Sequence, residues 1–587
     1  VILLALAACT PADPSPPVPT EVEAAPAPLP TLPDSVLARR QALREAEVAR
    51  LTEALALATD QGDPVGIAEV LIAGREVDPD AFAAPWARFE SDLLQRGADL
   101  GAARAAALLH DAARTPAERR KWRTFATGTL ARWQHGPEQR DATLEAVQGV
   151  TRAMAHRAIA TVVAEHVAAP GPEVLDAGIA RLVDLGLLEA EPERTGDVHR
   201  DIDTVLDRAV GPAELVTATF TEAVLAGLDP WTKPIWPKQV ASWQQHHDGV
   251  FPGIVGVVLD EDDGGLFVRQ LVEGAPAWAA GVQVYDRVRT LDGEAPASLQ
   301  EAVSTLAGAN GTPLTLGLRR DGKDLEITVE RASVAETTVS GWTREGTAQE
   351  VLAGPGVAWF HLHAFRPSTD DRFLELLPDP ATLEAVVLDL RGNGGGDLDA
   401  ALAIADAFVR SGPLVTAETR MELERPVDWG MATPVAPLAD CRVAVLVDRD
   451  TGSSAEILAG ALQHHGATVI GERTAGKGTG QILRTDEELG FAIQFTHLRW
   501  QLPDGRALHR ADDATTWGIT PDLSDHASPT ERFMVGVLRA RREALAVHAD
   551  GSPMPWTGPT VDPALPTFHL DPTAELALVV VTRDRPH

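Results

Sequence analysis

Residues 443–481 read VAVLVDRDTGSSAEILAGALQHHGATVIGERTAGKGTGQ. They decide the fold because they hold a strand–helix–strand unit. Residues 443–447 are uninterrupted apolar residues, the pattern of a strand buried on both faces. A turn at 448–452 follows. Ser453 and Ser454 then open a stretch whose apolar residues recur at helical spacing. "ATVIGE" is a second strand of the buried type. Two such strands joined by a helix pair in parallel through a right-handed crossover. Their carboxyl ends share one sheet edge, where Ser453, Ser454 and, past the second strand, Lys477 fall.

The same texture extends outward from residue 356. "GVAWFHLHAF" and "AVVLDL" read as further buried strands, and "DLDAALAIADAFV" as another crossover helix. The loop "RGNGGG" after "AVVLDL" lies on the same edge. Ligands of open α/β sheets sit outside the carboxyl ends of the strands. Three loops thus bring together a serine, a lysine and glycines able to present backbone N–H groups, which is the set for nucleophile, base and oxyanion hole. A serine at a helix amino terminus also faces unsatisfied N–H groups and the positive end of the dipole. His464 cannot be the base within that helix. It lies eleven residues past Ser453, about 16 Å at 1.5 Å per residue, and His465 is farther still. A structural reading stands beside the chemical one: Ser453-x-x-Glu456 is a capping box, which stabilises a helix without any catalysis. Spacing alone leaves open which serine hydroxyl reacts.

The remainder of the 587 residues is too long for a single core. Residues 1–9 read as the end of a signal segment, 10–35 as a Pro- and Ala-rich tether, and 36–168 as a helical domain. A further helical segment covers 169–248. Residues 249–335 change to short alternating strands with Gly and Asp-Gly turns, a small β-rich domain. The α/β domain covers 336–546, and 547–587 form a carboxy-terminal extension. The apolar start is too short to span a bilayer. Its Leu6-Ala7-Ala8-Cys9 resembles the lipobox of bacterial lipoproteins, which implies lipidation of Cys9, a membrane anchor and a periplasm-facing location in the cell envelope. With Cys9 so used, Cys441 has no intrachain partner, and no disulfide is expected.

A net charge of −34 argues against a nucleic-acid binder, which needs clustered Lys and Arg. His361 and His363 alternate on one strand, and neither His-Glu-x-x-His nor Cys-x-x-Cys occurs, so no metal and no nucleotide cofactor is expected.

In order along the chain, "LDPWTKPIWP", "EGAPAWAAGVQVYDRVRTLDG", "LDLRGNGGG", "SSAEILAGALQ", "GERTAGKGTGQ" and "GITPDL" resemble the motifs of the carboxy-terminal processing serine peptidases, or tail-specific proteases. Gly394 stands where that family usually has proline, Ser454 where it has alanine, and His464 where some members carry Asp. The resemblance implies a catalytic domain of the ClpP/crotonase-like kind, with a mostly parallel sheet, behind a PDZ domain. It implies Ser453 as nucleophile, Lys477 as base and Gln481 as support for the lysine. It implies an oxyanion hole from the N–H groups of Ser454 and Gly395. A PDZ domain binds a protein tail as an added strand. The carboxylate loop would be Gly253, Ile254, Val255 and Gly256, and Leu299, Ala302 and Leu306 would line the groove, unless these apolar residues serve the domain's core. The expected activity is that of a serine endopeptidase acting on proteins with accessible carboxy-terminal tails, with a protein partner possible on the helical domain. The alternative is a catalytically silent PDZ scaffold that binds tails.

Overall fold

A computed structural model describes residues 34–582 except 114, 242, 244–249, 263–264, 273–274, 284–285, 321, 342–355, 420–426, 512–513 and 525–571. Cys9 and nearly all of the 10–35 tether lie outside the described residues.

The helical part divides into two packed units. Helices Asp34–Gln61, Pro64–Val77, Pro79–Leu94, Leu100–Asp111 and Pro116–Gln134 enclose a core that includes Leu51, Leu71, Phe82, Leu93, Leu109 and Trp122. Their starts follow from local chemistry. Asp63, Asp78, Asp99 and Thr115 each accept a hydrogen bond from a first-turn amide, and three of them precede a proline at the first helical position. The expected boundary at residue 168 does not separate the units. Helix Arg152–Glu165 packs instead with Ala213–Ala226: Met154, Ala158 and Val162 share a core with Leu215, Ala218 and Leu225. Helical periodicity is the same on both sides of the break, and only the pairing of faces shows where one unit ends. That second core continues into the α/β domain through Trp236, Phe491, Ile493 and Phe495. Lys233–Ile235, inside the segment read as helical, is a strand paired antiparallel with Phe491–Gln501.

The β-rich domain is a five-stranded antiparallel sheet plus the pair Val250–Ile254 and Ala332–Ala335. Its core includes Val255, Val268, Ala302, Leu306, Leu314 and Leu318.

The α/β domain has two sheets. The first runs Leu523–Ser524, Thr468–Gly471, Arg442–Val447, Ala385–Asp389, Val357–Leu362, Val339–Gly341. All its pairings are parallel except the last, as the crossover reading requires. Helices Leu398–Asp406 and Ser454–His464 pack into the core on one face. The other face is covered by Pro572–Thr582, whose Ala574, Ala577 and Val581 meet Trp359, Val387, Leu446 and Ile470. A helix of the carboxy-terminal extension therefore covers the second face of this sheet. The second sheet is antiparallel and centres on Phe491–Gln501, flanked by Thr479–Asp486 on one side and by Lys233–Ile235 and Pro413–Thr419 on the other.

Candidate active site

The strand Arg442–Val447 feeds a turn knotted by its own side chains. Asp448 Oδ1 accepts from the amides of Asp450 (3.1 Å), Thr451 (3.0 Å) and, across the loops, Gly392 (2.9 Å). The turn delivers Ser453 at φ 56°, ψ −124°. A non-glycine residue there is strained by about 1–3 kcal/mol and persists only where its surroundings hold it. This is the sharp strand-to-helix elbow that lifts a serine out of a sheet edge.

What holds it is Glu456. Its fully buried carboxylate accepts four hydrogen bonds. Oε2 takes the Ser453 amide (2.9 Å) and the Lys477 amide (2.8 Å). Oε1 takes the Gly476 amide (2.7 Å) and the Thr474 hydroxyl (2.5 Å). Thr474 Oγ1 in turn accepts from the Ile519 amide at 2.7 Å, so its own proton goes to Glu456. Burial pushes this carboxyl up, and the four donors pull the other way. With every acceptor position filled, the anion is the form that fits. One oxygen thus ties the serine's backbone to the lysine's, with the two nitrogens no more than about 6 Å apart when the two bonds are laid end to end. The reading of Glu456 as a capping residue is correct for its bond to Ser453 and misses its other three. The signal in the sequence was only Ser-x-x-Glu, and the lysine loop arrives through tertiary contact.

Lys477 lies in the 474–478 loop, and Ala475 N–H donates to Thr451 O in the nucleophile turn (2.9 Å). Burial lowers the pKa of its ammonium below the ordinary lysine value. Glu456 works against that fall, and Lys233 reinforces it. Lys477 Nζ sits 4.4 Å from the centre of the Trp231 ring. Trp231 belongs to "LDPW", whose Asp229 fixes the turn by accepting from the amides of Trp231 (2.7 Å) and Thr232 (2.8 Å), and which pairs with buried His166 at 2.8 Å. The proximity of Trp231 to the lysine was not legible in the sequence.

Gly395 reaches the site as expected. At φ +99°, a Cβ on it would lie 2.7 Å from Ser453 Cβ and 3.0 Å from Ser454 N, so only glycine fits. Its N–H, however, donates to Asn393 Oδ1 at 2.8 Å. This corrects its expected part as a ready oxyanion donor: the short loop satisfies its own amide. Asp389 and Arg391, both buried, pair through two bonds of 2.8 and 2.6 Å at the base of the loop. Ser454 places its amide in the first turn of its helix, where no helix carbonyl accepts it. Its hydroxyl is buried and has no partner among the described residues.

Gln481 does not reach the lysine. Its amide nitrogen donates to Thr479 (3.0 Å) and Thr496 (3.2 Å), and no hydrogen bond joins it to Lys477 among the described residues. The register shifts between Gly480 and Gln481, which sets Gln481 opposite Thr496. His464 and His465 end the helix Ser454–His464, and His465 contacts Pro413 O at 3.2 Å.

In the β-rich domain, Gly253 and Ile254 end a strand rather than form an open loop. Gly253 N–H donates to Asn310 Oδ1 at 2.6 Å, and Gly256 O accepts from Val272 N–H at 2.9 Å. Val255, Ala302 and Leu306 are buried core residues, and Leu299 packs against them. These apolar residues take the structural alternative because their side chains fill the small domain's interior. The strand Val257–Asp262 stands at the sheet's edge, and helix Leu299–Leu306 lies beside it. No group of three or more His, Cys, Asp or Glu among the described residues is arranged to hold a metal ion. No helix among them is long and apolar enough to cross a membrane.

Residues 356–524 match the model of peptidase family S41, and residues 253–330 that of the PDZ domain. Relatives include a probable CtpA-like serine protease of Staphylococcus saprophyticus, 27% identical over 338 residues, 57% of this chain and 65% of the relative. A counterpart in Staphylococcus haemolyticus is 26% identical over 314 residues, 52% of this chain and 59% of the relative. The chain thus spans less than two thirds of these relatives' length. Among solved structures, the photosystem II D1 C-terminal processing protease is 23% identical with a TM-score of 0.41, over 69% of this chain and 99% of that one. A putative S41 protease from Bacteroides fragilis is 14% identical with a TM-score of 0.41, over 73% of this chain and 97% of that one. By these matches the α/β domain is similar to the peptidases of family S41, and the β-rich domain before it to PDZ domains.

Proposed function

We propose that this chain is a serine endopeptidase with Ser453 as nucleophile and Lys477 as general base. The observation that carries the reading is the Glu456 carboxylate, one oxygen of which binds the amides of both residues. Neutral Lys477 takes the proton from Ser453 Oγ, and the alkoxide adds to a peptide carbonyl carbon. The oxyanion receives the Ser454 N–H at the positive end of the helix. Collapse breaks the C–N bond, and the amine leaves with the proton from Lys477. Water then hydrolyses the acyl-enzyme through the same lysine.

Substrate choice is assigned to the PDZ domain. A protein tail would add as a strand at the edge of Val257–Asp262, with its carboxylate near Gly253. The anchor at Cys9 and a periplasm-facing location belong to the same proposal and rest on Leu6-Ala7-Ala8-Cys9 alone. One observation favours a second reading, a silent tail-binding scaffold: the Gly395 amide is already donated to Asn393. A fluorophosphonate label separates the two. Labelling of Ser453 in the wild type that disappears in Lys477→Ala supports the peptidase; wild-type protein that binds tail peptides without labelling supports the scaffold.

A further inference from the structure

The first helical unit touches the catalytic domain behind both halves of the dyad. Arg449, in the nucleophile turn, pairs with Glu76 at the end of helix Pro64–Val77. Its other nitrogen reaches Glu472, just past the strand Thr468–Gly471, at 3.1 Å. Behind the lysine loop stands Trp517. A Cβ on Gly476 would lie 2.5 Å from its Cδ1 and 2.8 Å from Arg510 Cβ, so glycine alone lets the loop close against them. Arg510 N–H also donates to Gly476 O at 2.7 Å.

This backing is itself gripped by the helical unit. The Arg510 guanidinium donates to the carbonyls of Asp111 (3.3 Å) and Ala113 (2.6 Å). Arg119, from helix Pro116–Gln134, reaches the other way to the carbonyls of Ala511 (3.3 Å) and Ala514 (3.2 Å). The guanidinium groups of Arg510, Arg473 and Arg119 lie 4.5, 5.0 and 5.6 Å from the Trp517 ring. Guanidinium groups stack on an indole face by cation–π attraction, strongest where water is excluded, and Arg119 is 3% exposed.

We propose that the helical unit of residues 34–134 positions the catalytic lysine: its grip on Arg449 and on the Arg510–Trp517 backing holds the 474–478 loop against the nucleophile turn. This role presupposes the Ser453–Lys477 reading above. Glu456 holds the loop from the front and Trp517 from behind, and only the second hold depends on another unit of the molecule. Withdrawing it admits water to the loop. The charged groups that act on Lys477 are Glu456 on the nucleophile helix and Lys233 on the strand Lys233–Ile235, with the Trp231 ring over Nζ. None of them replaces the lost exclusion of water. The side chains involved are positioning residues, since none touches the reacting atoms.

The test uses the full chain carrying Glu76→Gln together with Arg119→Ala. Cleavage of an internally quenched peptide is followed against pH, and amide exchange is followed over residues 472–478. A displacement near 1 Å at a reacting group costs on the order of a hundredfold, so kcat is expected to fall roughly ten- to a hundredfold, with KM within about twofold. The alkaline midpoint should move up toward about 10.4, the ordinary lysine value. The Gly476 and Lys477 amides should exchange faster, and Arg119→Lys should restore part of each effect. A variant with its helical unit folded by circular dichroism, and with kcat, midpoint and exchange all unchanged, overturns the proposal. If the double variant loses that unit, Glu76→Gln and Arg119→Lys singly decide the matter by the same three readouts. If the wild type neither cleaves nor labels at Ser453, the dyad reading fails, and the exchange rates alone then decide whether the helical unit holds the loop.

Discussion

The catalytic domain and the PDZ domain each contain a glycine turn expected to offer an amide to an oxygen anion. In both, an asparagine has that amide: Asn393 holds Gly395 N–H at 2.8 Å, and Asn310 holds Gly253 N–H at 2.6 Å. The two differ in how the asparagine is held. Asn393 is fully buried, its side-chain amide donates to Leu362 O at 2.9 Å, and its backbone carbonyl accepts from Gly452 N–H at 2.9 Å. Asn310 is exposed, and its amide nitrogen contacts Ser333 Oγ at 3.0 Å. Removing the fully buried Asn393 side chain costs about 1–3 kcal/mol, whereas at the exposed Asn310 water can take up part of the lost bonding. On the proposed reading, the PDZ loop would exchange its partner more readily than the catalytic loop, because its asparagine is exposed. On the proposed mechanism, oxyanion stabilisation would rest first on Ser454 N–H at the start of its helix.

The largest effect tests whether the catalytic loop serves chemistry at all. Ser453→Ala and Lys477→Ala are each expected to lower kcat by about 10⁴-fold or more, with little change in thermal unfolding. In the wild type, only neutral Lys477 can accept the serine proton. Activity therefore rises with pH, and burial places its midpoint below about 10.4. A pH profile of kcat/KM measures this, and replacing His464 and His465 with Gln should leave the midpoint where it is. A midpoint that moves with the histidines would falsify the lysine base.

Glu456→Ala comes next. It leaves the buried amides of Ser453, Gly476 and Lys477 without their acceptor, each at about 1–3 kcal/mol. Urea unfolding should show a loss of at least about 3 kcal/mol, with activity lost as the two loops part.

The asparagines themselves sharpen the comparison. Asn393→Ala should destabilise by about 1–3 kcal/mol and lower kcat, whereas Asn310→Ala, at an exposed side chain, should cost less. By freeing Gly253 N–H, Asn310→Ala should also tighten binding of a tail peptide severalfold in calorimetry. Equal destabilisation by both would remove the distinction between the loops. The smallest effect belongs to Ser454→Ala. Its buried hydroxyl has no partner among the described residues, so removal should leave stability within about 0.5 kcal/mol or raise it. Measurable labelling and cleavage should survive, because the Ser454 amide remains.

Much of the catalytic layout was legible because it is local. The apolar runs at 443–447 and in "AVVLDL" have the pattern of buried strands, and parallel pairing then puts their loops on one edge. The presence of the β-rich PDZ domain was legible from a change of period and from glycine turns. The second sheet was harder to see. Lys233–Ile235 is a three-residue strand between prolines, too short for a period to register. Gln481 was misassigned because one register shift turns a strand residue toward a different neighbour. Helix Pro572–Thr582 was set outside the catalytic domain because an apolar helix does not name the sheet it covers.

The sequence by itself determined the kinds of groups present and the edge on which they meet: a serine after a strand, a lysine after the next, and glycines after a third. Backbone periodicity and chirality act over a few residues and need no partner to be read. Only the tertiary structure decided which groups bind one another. Glu456 joins four donors from two separated loops, Asn393 takes the amide expected for an oxyanion, Trp231 meets Lys477, and Trp517 backs Gly476. Each of these pairings depends on distances between chain segments far apart in sequence, which only the packed core sets.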